Sequence, residues 1–496
     1  MRPDGTSRQY LYAEPGLAPA GGRNLLTGIV EGGARYATFS YNEKAKVTGS
    51  HLWSAGQPVD AITINYNSDG SATTVNSVGE VRQNLVGGEK FRQITKTTDS
   101  QGSKSFGFTS NGRRSYTQDA LGNRTSYAYV DSSSGAVSQV LTTTEESLGR
   151  VTRTVRDSGN RVIEQRVSQK NAGNEQLVSL DREVLDASGR ALNSCQYDAT
   201  QGTDYVCGSL PVAPGNVRQT ARAYCTDADV AANALLCPLV GLQRSIKDPA
   251  GNVTQFEYFA ANDPGCDAGG ACSHRKGDLR AIVNALGQRT ELLEYDALGN
   301  PIQIRGIDGS VVERLFDSMG RVLTETLKGD VPANDRISLY EYSSTGKRTR
   351  VTGPDGVWVR MVYDTADRLV AIEDAAGNRV TYTLDAAGNR IREEVRDSSG
   401  ALKRFGDRQF DTHSRMTRQA GADGQPFLFR HDANGNVLET ESPLGVISKS
   451  TYDGADRPKV QIQDAGGINA EVRYAYSANG QVEQVVDPKG LATRYA

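Results

Sequence analysis

Methionine occurs only 4 times and histidine only 4 times in 496 residues, and no charge of either sign dominates. Few straight apolar side chains argue against a helix bundle, and a mean hydropathy of −0.51 argues against a thick dry interior. A net charge of −3 with pI about 6.0 excludes a nucleic-acid-binding role, because neutralising phosphates needs a basic surface. No run approaches the ~18 consecutive apolar residues of a membrane span. The first ten residues, Met1 to Tyr10, lack the apolar stretch of a secretory leader, so export by the general route from this first residue is not expected. Neither a G-x-S-x-G elbow nor a phosphate loop ending in Lys-Ser/Thr is present, and the glycines from Gly265 to Gly270 read as flexible loop.

Glycine, by contrast, is plentiful at 53 residues, and Tyr (21) outnumbers Phe (11). Glycine at one residue in nine exceeds the usual share of roughly 7% and implies many turns. At this length a single compact core has normally stopped growing, so the chain is either several domains or a repeat array.

The repeat is visible in the C-terminal half. Tyr295-Asp296-Ala-Leu-Gly299-Asn300 is followed by Phe316-Asp317-Ser-Met-Gly320-Arg321, Tyr363-Asp364, Leu384-Asp385, Phe410-Asp411, His431-Asp432 and Tyr452-Asp453. The Asp-to-Asp step is 21 residues from 296 to 317, 364 to 385, 411 to 432 and 432 to 453, and 26 from 385 to 411. Tyr342-Ser343 fills the gap between 317 and 364. A second turn signal falls mid-repeat: Asp308-Gly309, Asp355-Gly356, Asp374 to Gly377, Asp423-Gly424 and Asp487 to Gly490. Each repeat is therefore strand, turn, strand, turn, one β-hairpin. Asp accepts N–H groups from two residues on, Gly three positions later takes φ > 0, and the aromatic before Asp suits a pleated, half-buried surface. In Arg379 to Leu384, Val380, Tyr382 and Leu384 share one face, and Arg379, Thr381 and Thr383 the other. Looser copies lie at Ala34 to Tyr41, Tyr66 to Gly70, Asp119 to Tyr129, Asp157 to Arg161 and Asp186 to Arg190. The expected organisation is degenerate repeats over 1–190, an irregular cysteine-bearing insertion over 191–277 and regular repeats over 278–496.

This Tyr-Asp pattern resembles the RHS or YD-repeat family of bacterial proteins over nearly the whole chain. The resemblance implies an all-β fold whose hairpins form a long, curved, spiralling sheet, part of a shell or cocoon. It implies the structural shell of a polymorphic toxin used in bacterial competition or host interaction, encapsulating or presenting a C-terminal effector, and not an enzyme. Implied partners are that toxin segment or the remaining shell chain, secretion-system spike proteins and carbohydrate. The implied destination is secreted or cell-surface, by a specialised secretion system. Family members that enclose a toxin end their repeats in an Asp-Pro-x-Gly core with aspartate-dependent self-cleavage, whereas Asp487-Pro-Lys-Gly490 reads as a mid-repeat turn. The array also starts in mid-repeat, at Pro3-Asp4-Gly5 and Tyr10-Leu-Tyr12, and stops at Ala496. The expectation is thus a piece of a shell whose effector is absent from this chain. The alternative is a surface adhesin binding glycans or a partner protein through its Tyr-rich sheet.

All six cysteines lie between Cys195 and Cys272, with Cys207, Cys225, Cys237 and Cys266 between them. An even count in a polar, loop-rich stretch reads as disulfides and an oxidising destination. Six cysteines allow 15 connectivities; the neighbouring scheme, 195–207, 225–237 and 266–272, would staple three local loops. Zinc binding and reduced thiols are the alternatives, although no C-x-x-C occurs and the nearest histidine is His274. Thr226 to Leu236 is the best helix candidate, with Thr226 or Asp227 as N-cap.

Three further motifs are read as structural. Asp432-Ala-Asn434-Gly-Asn436, with Glu439 and Glu441 downstream, imitates half a calcium loop but recurs elsewhere as a plain turn. His51, His274, His413 and His431 form no local catalytic motif, and no catalytic, cofactor or metal site is expected. Arg after the turn (Arg124, Arg161, Arg321, Arg390) suits either a polar lining for cargo or glycan, or a sheet wetted on both faces.

Overall fold

The computed structural model describes all residues except 1–6, 88–91, 133–136, 172–173, 200–201, 234–235, 268–271 and 496. The Pro3-Asp4-Gly5 turn and part of the Gly265–Gly270 loop lie outside the described residues.

Among the described residues, thirty-nine strands form one open antiparallel sheet. Each strand pairs with the next in sequence, from Arg8–Tyr12 on Leu26–Glu31 through to Val482–Val486 on Ala492–Arg494. The sheet is thus a continuous meander, and its turns fall alternately on two rims. One rim carries the anchor turns that follow each Tyr or its substitute, and the other carries the mid-repeat turns.

The wall is thin. Its accessible surface is 28098 Å², against roughly 18,000 Å² expected of a compact monomer of this mass. Buried residues are sparse, and both faces of the sheet are wetted. The described core cluster is small: Leu180, Cys195, Tyr197, Cys207 and Val217, with Leu177, Val184, Tyr205 and Ala213 against it.

That cluster lies in the cysteine-bearing stretch, where the neighbouring disulfides Cys195–Cys207, Cys225–Cys237 and Cys266–Cys272 are all present. The sheet runs through this stretch in the strands Ala191–Asp198, Val217–Tyr224, Gln243–Lys247 and Val253–Tyr258. The helix candidate forms as Asp227–Ala232, capped by Thr226 in a capping box with Asp229. It is shorter than expected: Asn233 ends it, and Cys237 N–H bonds back to Asn233 O as the disulfide returns the chain towards Cys225. Pro264–Asp267 forms a single helical turn where the sequence reads as loop, with Asp263 accepting the Gly265 N–H at 2.7 Å.

The anchor turn is a compact hydrogen-bonded box. Asp296 Oδ1 accepts the N–H groups of Leu298 and Asn300, both at 2.9 Å, and its Oδ2 accepts Asn300 Nδ2 at 2.9 Å. At Asp364 the fifth residue is Arg368, whose Nε donates to Oδ2 at 2.8 Å. The same Arg closure recurs at Asp157, Asp186, Asp317, Asp411 and Asp453. The fourth residue is left-handed in each box: Gly299 has φ 85°, and Asp367, Ser414 and Asp456 take φ near 60° in its place.

Tyrosine has a role beyond packing. Tyr342 hydroxyl donates to Val322 O at 2.9 Å, Tyr363 to Arg348 O at 3.0 Å, Tyr452 to Val437 O at 2.9 Å and Tyr476 to Pro458 O at 2.7 Å. Each acceptor is the first residue of the strand leaving the previous anchor turn. Tyr41, Tyr66, Tyr258 and Tyr295 do the same. Arg321, Arg457 and Arg190 stack on the next anchor tyrosines, Tyr342, Tyr476 and Tyr224, at 4.4–4.9 Å. Where that next residue is Leu384 or His431, Arg368 and Arg415 donate instead to Asp385 O and Asp432 O. The register also slips by one residue at each anchor of the regular array, for example between Thr451 and Tyr452. Bulges repeated along one rim add twist and bend the wall in one sense.

Candidate functional site: the seam between two wraps

The curvature brings distant turns together. Thr365 Oγ1 donates to Trp53 O at 2.8 Å, and Ser54 Oγ to Asp364 Oδ2 at 2.8 Å. Asp60 N–H and Ser77 Oγ both donate to Ala386 O, at 2.8 and 3.0 Å. Asn76 Nδ2 reaches Thr412 O at 3.3 Å, and Asn434 Nδ2 reaches Asp119 Oδ2 at 2.8 Å. Arg150 Nη1 donates to Ala478 O at 3.3 Å, and Ser179 Oγ to Asn479 Oδ1 at 3.0 Å. The side-chain contacts join residues 300 to 336 apart and advance together along both stretches, from Trp53–Thr365 to Ser179–Asn479. The sheet therefore winds back over itself as a spiral. Anchor turns of the later wrap sit on mid-repeat turns of the earlier one.

This corrects one sequence assignment. Asp119 resembles an anchor Asp, and its box is complete with Asn123, but the turn joins Arg114–Gln118 to Arg124–Asp131 on the mid-repeat rim. Its local sequence could not reveal that, because the same five-residue box closes either rim. There it receives Asn434 of the later wrap.

Clefts open along the seam. One of about 650 Å³ is lined by Arg150, Gln165, Asp181, Arg218 and Asn479, and another of about 620 Å³ by Gln169, Asp453, Arg457, Tyr476 and Glu483. Burial pushes the Asp181 carboxyl above its ordinary value, with Glu183 adding to the rise. Burial likewise raises Asp60 in the seam, against the pull of Arg368.

The residues singled out in the sequence fall as follows. In the Asp432 turn, Asn436 Nδ2 donates to Asp432 Oδ2, and both Asn434 and Asn436 donate to Asp456 Oδ1. Their amide nitrogens, not a ring of oxygens, face the neighbouring carboxylates, and Glu439 turns to Arg430 and Lys449. His431 occupies the anchor position, where burial lowers its basicity. His51 packs edge-on to Trp53 at 4.9 Å, and burial lowers it too. His274 stacks on Phe259 at 3.8 Å and contacts Ser273 Oγ through Nδ1 at 3.1 Å. Ser273 gives its hydroxyl hydrogen to Asp263, so carboxylate, hydroxyl and imidazole are not in the relay order of a hydrolytic triad.

The fourth histidine lies in the seam. His413 Nε2 is 3.2 Å from Glu80 Oε1 and 3.6 Å from Asp99 Oδ2, both on mid-repeat turns of the earlier wrap. These three residues are scattered in sequence, and only the winding assembles them.

Residues 363–402 match the family model described as RHS Repeat. A search of curated proteins finds no match. Among solved structures, the crystal structure of TcdB2-TccC3 aligns with 99% of this chain and 28% of its own, at 12% identity and TM-score 0.53. The Photorhabdus luminescens Tc holotoxin pore aligns with 99% of this chain and 26% of its own, at 11% identity and TM-score 0.53. The chain spans about a quarter of the length of these structures, and at such identity the likeness concerns the fold. The matching model inside the regular array, the box repeated along its rim and the shared fold together support an RHS/YD-repeat family.

Proposed function

We propose that the chain is wall, not catalyst: a segment of an RHS-type toxin shell that encapsulates or presents an effector. The observation that carries this reading is the seam, because turn-on-turn contacts convert a thin wetted sheet into a continuous curved barrier. A single-layer sheet with so small a core has little with which to build a buried catalytic pocket, but it is well suited to enclosing a volume. The stretches 1–190, 191–277 and 278–496 belong to this reading as looser wall, disulfide-stapled insertion and regular wall. The disulfides fit a secreted or cell-surface destination, reached through a specialised secretion system. Spike proteins of that system and the remaining shell are the partners that follow.

Limited proteolysis of the assembled full-length protein tests the reading. An enclosed effector segment should resist cleavage and become sensitive when Ser54→Ala, Asn434→Ala and Ser179→Ala together loosen the seam. Equal cleavage with and without those changes contradicts containment. Binding to a glycan array by the same protein would favour the adhesin reading instead.

A further inference from the structure

His413 enters the seam from an anchor turn of the later wrap and meets Glu80 and Asp99 of the earlier wrap. The three side chains are only 12–16% exposed. Nε2, Glu80 Oε1 and Asp99 Oδ2 lie within 4.8 Å of one another. Two of those separations, 3.2 and 3.6 Å, are close to the ~3.4 Å between donors that tetrahedral ligands at about 2.1 Å from zinc would show. His413 Nε2 is buried and makes no well-directed hydrogen bond despite its proximity to Glu80.

The atoms on the far side of each group are already held. Glu80 Oε2 accepts from Asn76 Nδ2 at 3.0 Å, Asp99 Oδ1 accepts the Gln101 N–H at 2.9 Å, and His413 Nδ1 lies 3.4 Å from Thr412 Oγ1. Outer partners of this kind orient metal ligands so that their inner atoms converge. Arg82 Nη2 donates to Glu80 Oε1 at 2.8 Å and its Nε lies 3.9 Å from Asp99. It offsets one of the two carboxylate charges, leaving a net negative site for a dication.

We propose that Glu80, Asp99 and His413 bind a divalent transition-metal ion, zinc by the chemistry of one imidazole and two carboxylates, which staples the later wrap to the earlier one. Because the ligands come from both wraps, binding is possible only when the spiral is closed, so the ion stabilises the closed wall by mass action.

The test uses the chelator-treated whole chain with zinc alone, and cobalt as a spectroscopic substitute. Expected are one zinc per chain, a rise in thermal midpoint on zinc addition, and a visible cobalt band of low coordination number. His413→Gln and Asp99→Asn should each abolish the band and weaken zinc by more than about 100-fold, beyond the usual loss on removing an outer partner. Asn76→Ala, which removes the hydrogen bond to Glu80 Oε2 together with the contact to Thr412 O and the turn bonds from the Val78 and Glu80 N–H groups, should weaken it about tenfold, and an unchanged circular-dichroism spectrum of each ligand variant guards against misfolding. No stoichiometric zinc on the native chain overturns the proposal and leaves His413 as a plain seam contact of the two carboxylates. Undiminished zinc in the folded His413→Gln protein also overturns it, placing the ion on His51, His274 or His431.

Discussion

The disulfide-bearing stretch and the regular array solve the same problem by different means. Around Cys195 and Cys207 the wall thickens: a tyrosine, a leucine and a valine are buried against a disulfide, and long loops are closed covalently. From Leu279 onward there is no comparable cluster among the described residues. Buried groups are scattered alanines such as Ala281, Ala371 and Ala420, with Tyr295, and order comes from turn boxes, tyrosine hydroxyls and Arg stacks. A wall one sheet thick can therefore be held either by a local core with covalent closure, or by many small polar interactions at its rims. The second scales with repeat number, and the first is needed where the rhythm is interrupted.

Acid should separate the two most sharply, because it acts on every box at once. Burial pushes Asp296, Asp317, Asp364 and Asp453 upward, but hydrogen bonds from the fifth residue and from backbone N–H groups outweigh it and hold each carboxyl below its ordinary value. Such a group contributes stability that is complete above about pH 4 and fades as pH falls through the lowered value. Hydrogen exchange should show the array losing protection below pH 4, while the amides around the Cys195–Cys207 core keep theirs. Replacing Cys195 and Cys207 by Ala should do the reverse, costing about 3 kcal/mol for this short loop and exposing amides of 191–224 without touching those beyond 279. Asp317→Ala removes acceptors from Met319 N–H, Arg321 N–H and Arg321 Nε; a loss of about 1–3 kcal/mol confined to the adjoining strands is expected in local exchange. The smallest effect is that of Tyr342→Phe, which deletes one hydrogen bond and keeps the Arg321 stack, for about 0.5–1.5 kcal/mol at the Val322 strand.

Much of this was legible in the sequence. Asp followed by left-handed Gly announces its turn chemistry locally, alternation gives the strands, and short loops made the neighbouring cysteine pairing the economical choice. The Thr226 cap was readable for the same reason, being a contact across three residues. The missing part is of a different range. That Tyr342 hydroxyl seeks a carbonyl twenty residues back depends on strand register. Parity along the meander decides which rim Asp119 occupies, and an unnoticed turn reverses it. Bringing Glu80, Asp99 and His413 together depends on accumulated twist over some three hundred residues, which no local pattern encodes.

A cysteine pair across the seam reads the winding directly. Ser179→Cys with Asn479→Cys places two thiols where the hydrogen bond of 3.0 Å now joins residues 300 apart. Under mild oxidation of dilute protein, a wound sheet forms a bridge within one chain, seen as a cross-linked peptide and a faster-migrating monomer on a non-reducing gel. A sheet that stayed extended would give no such peptide, or only bridges between chains that vanish on dilution, and either result would contradict the spiral.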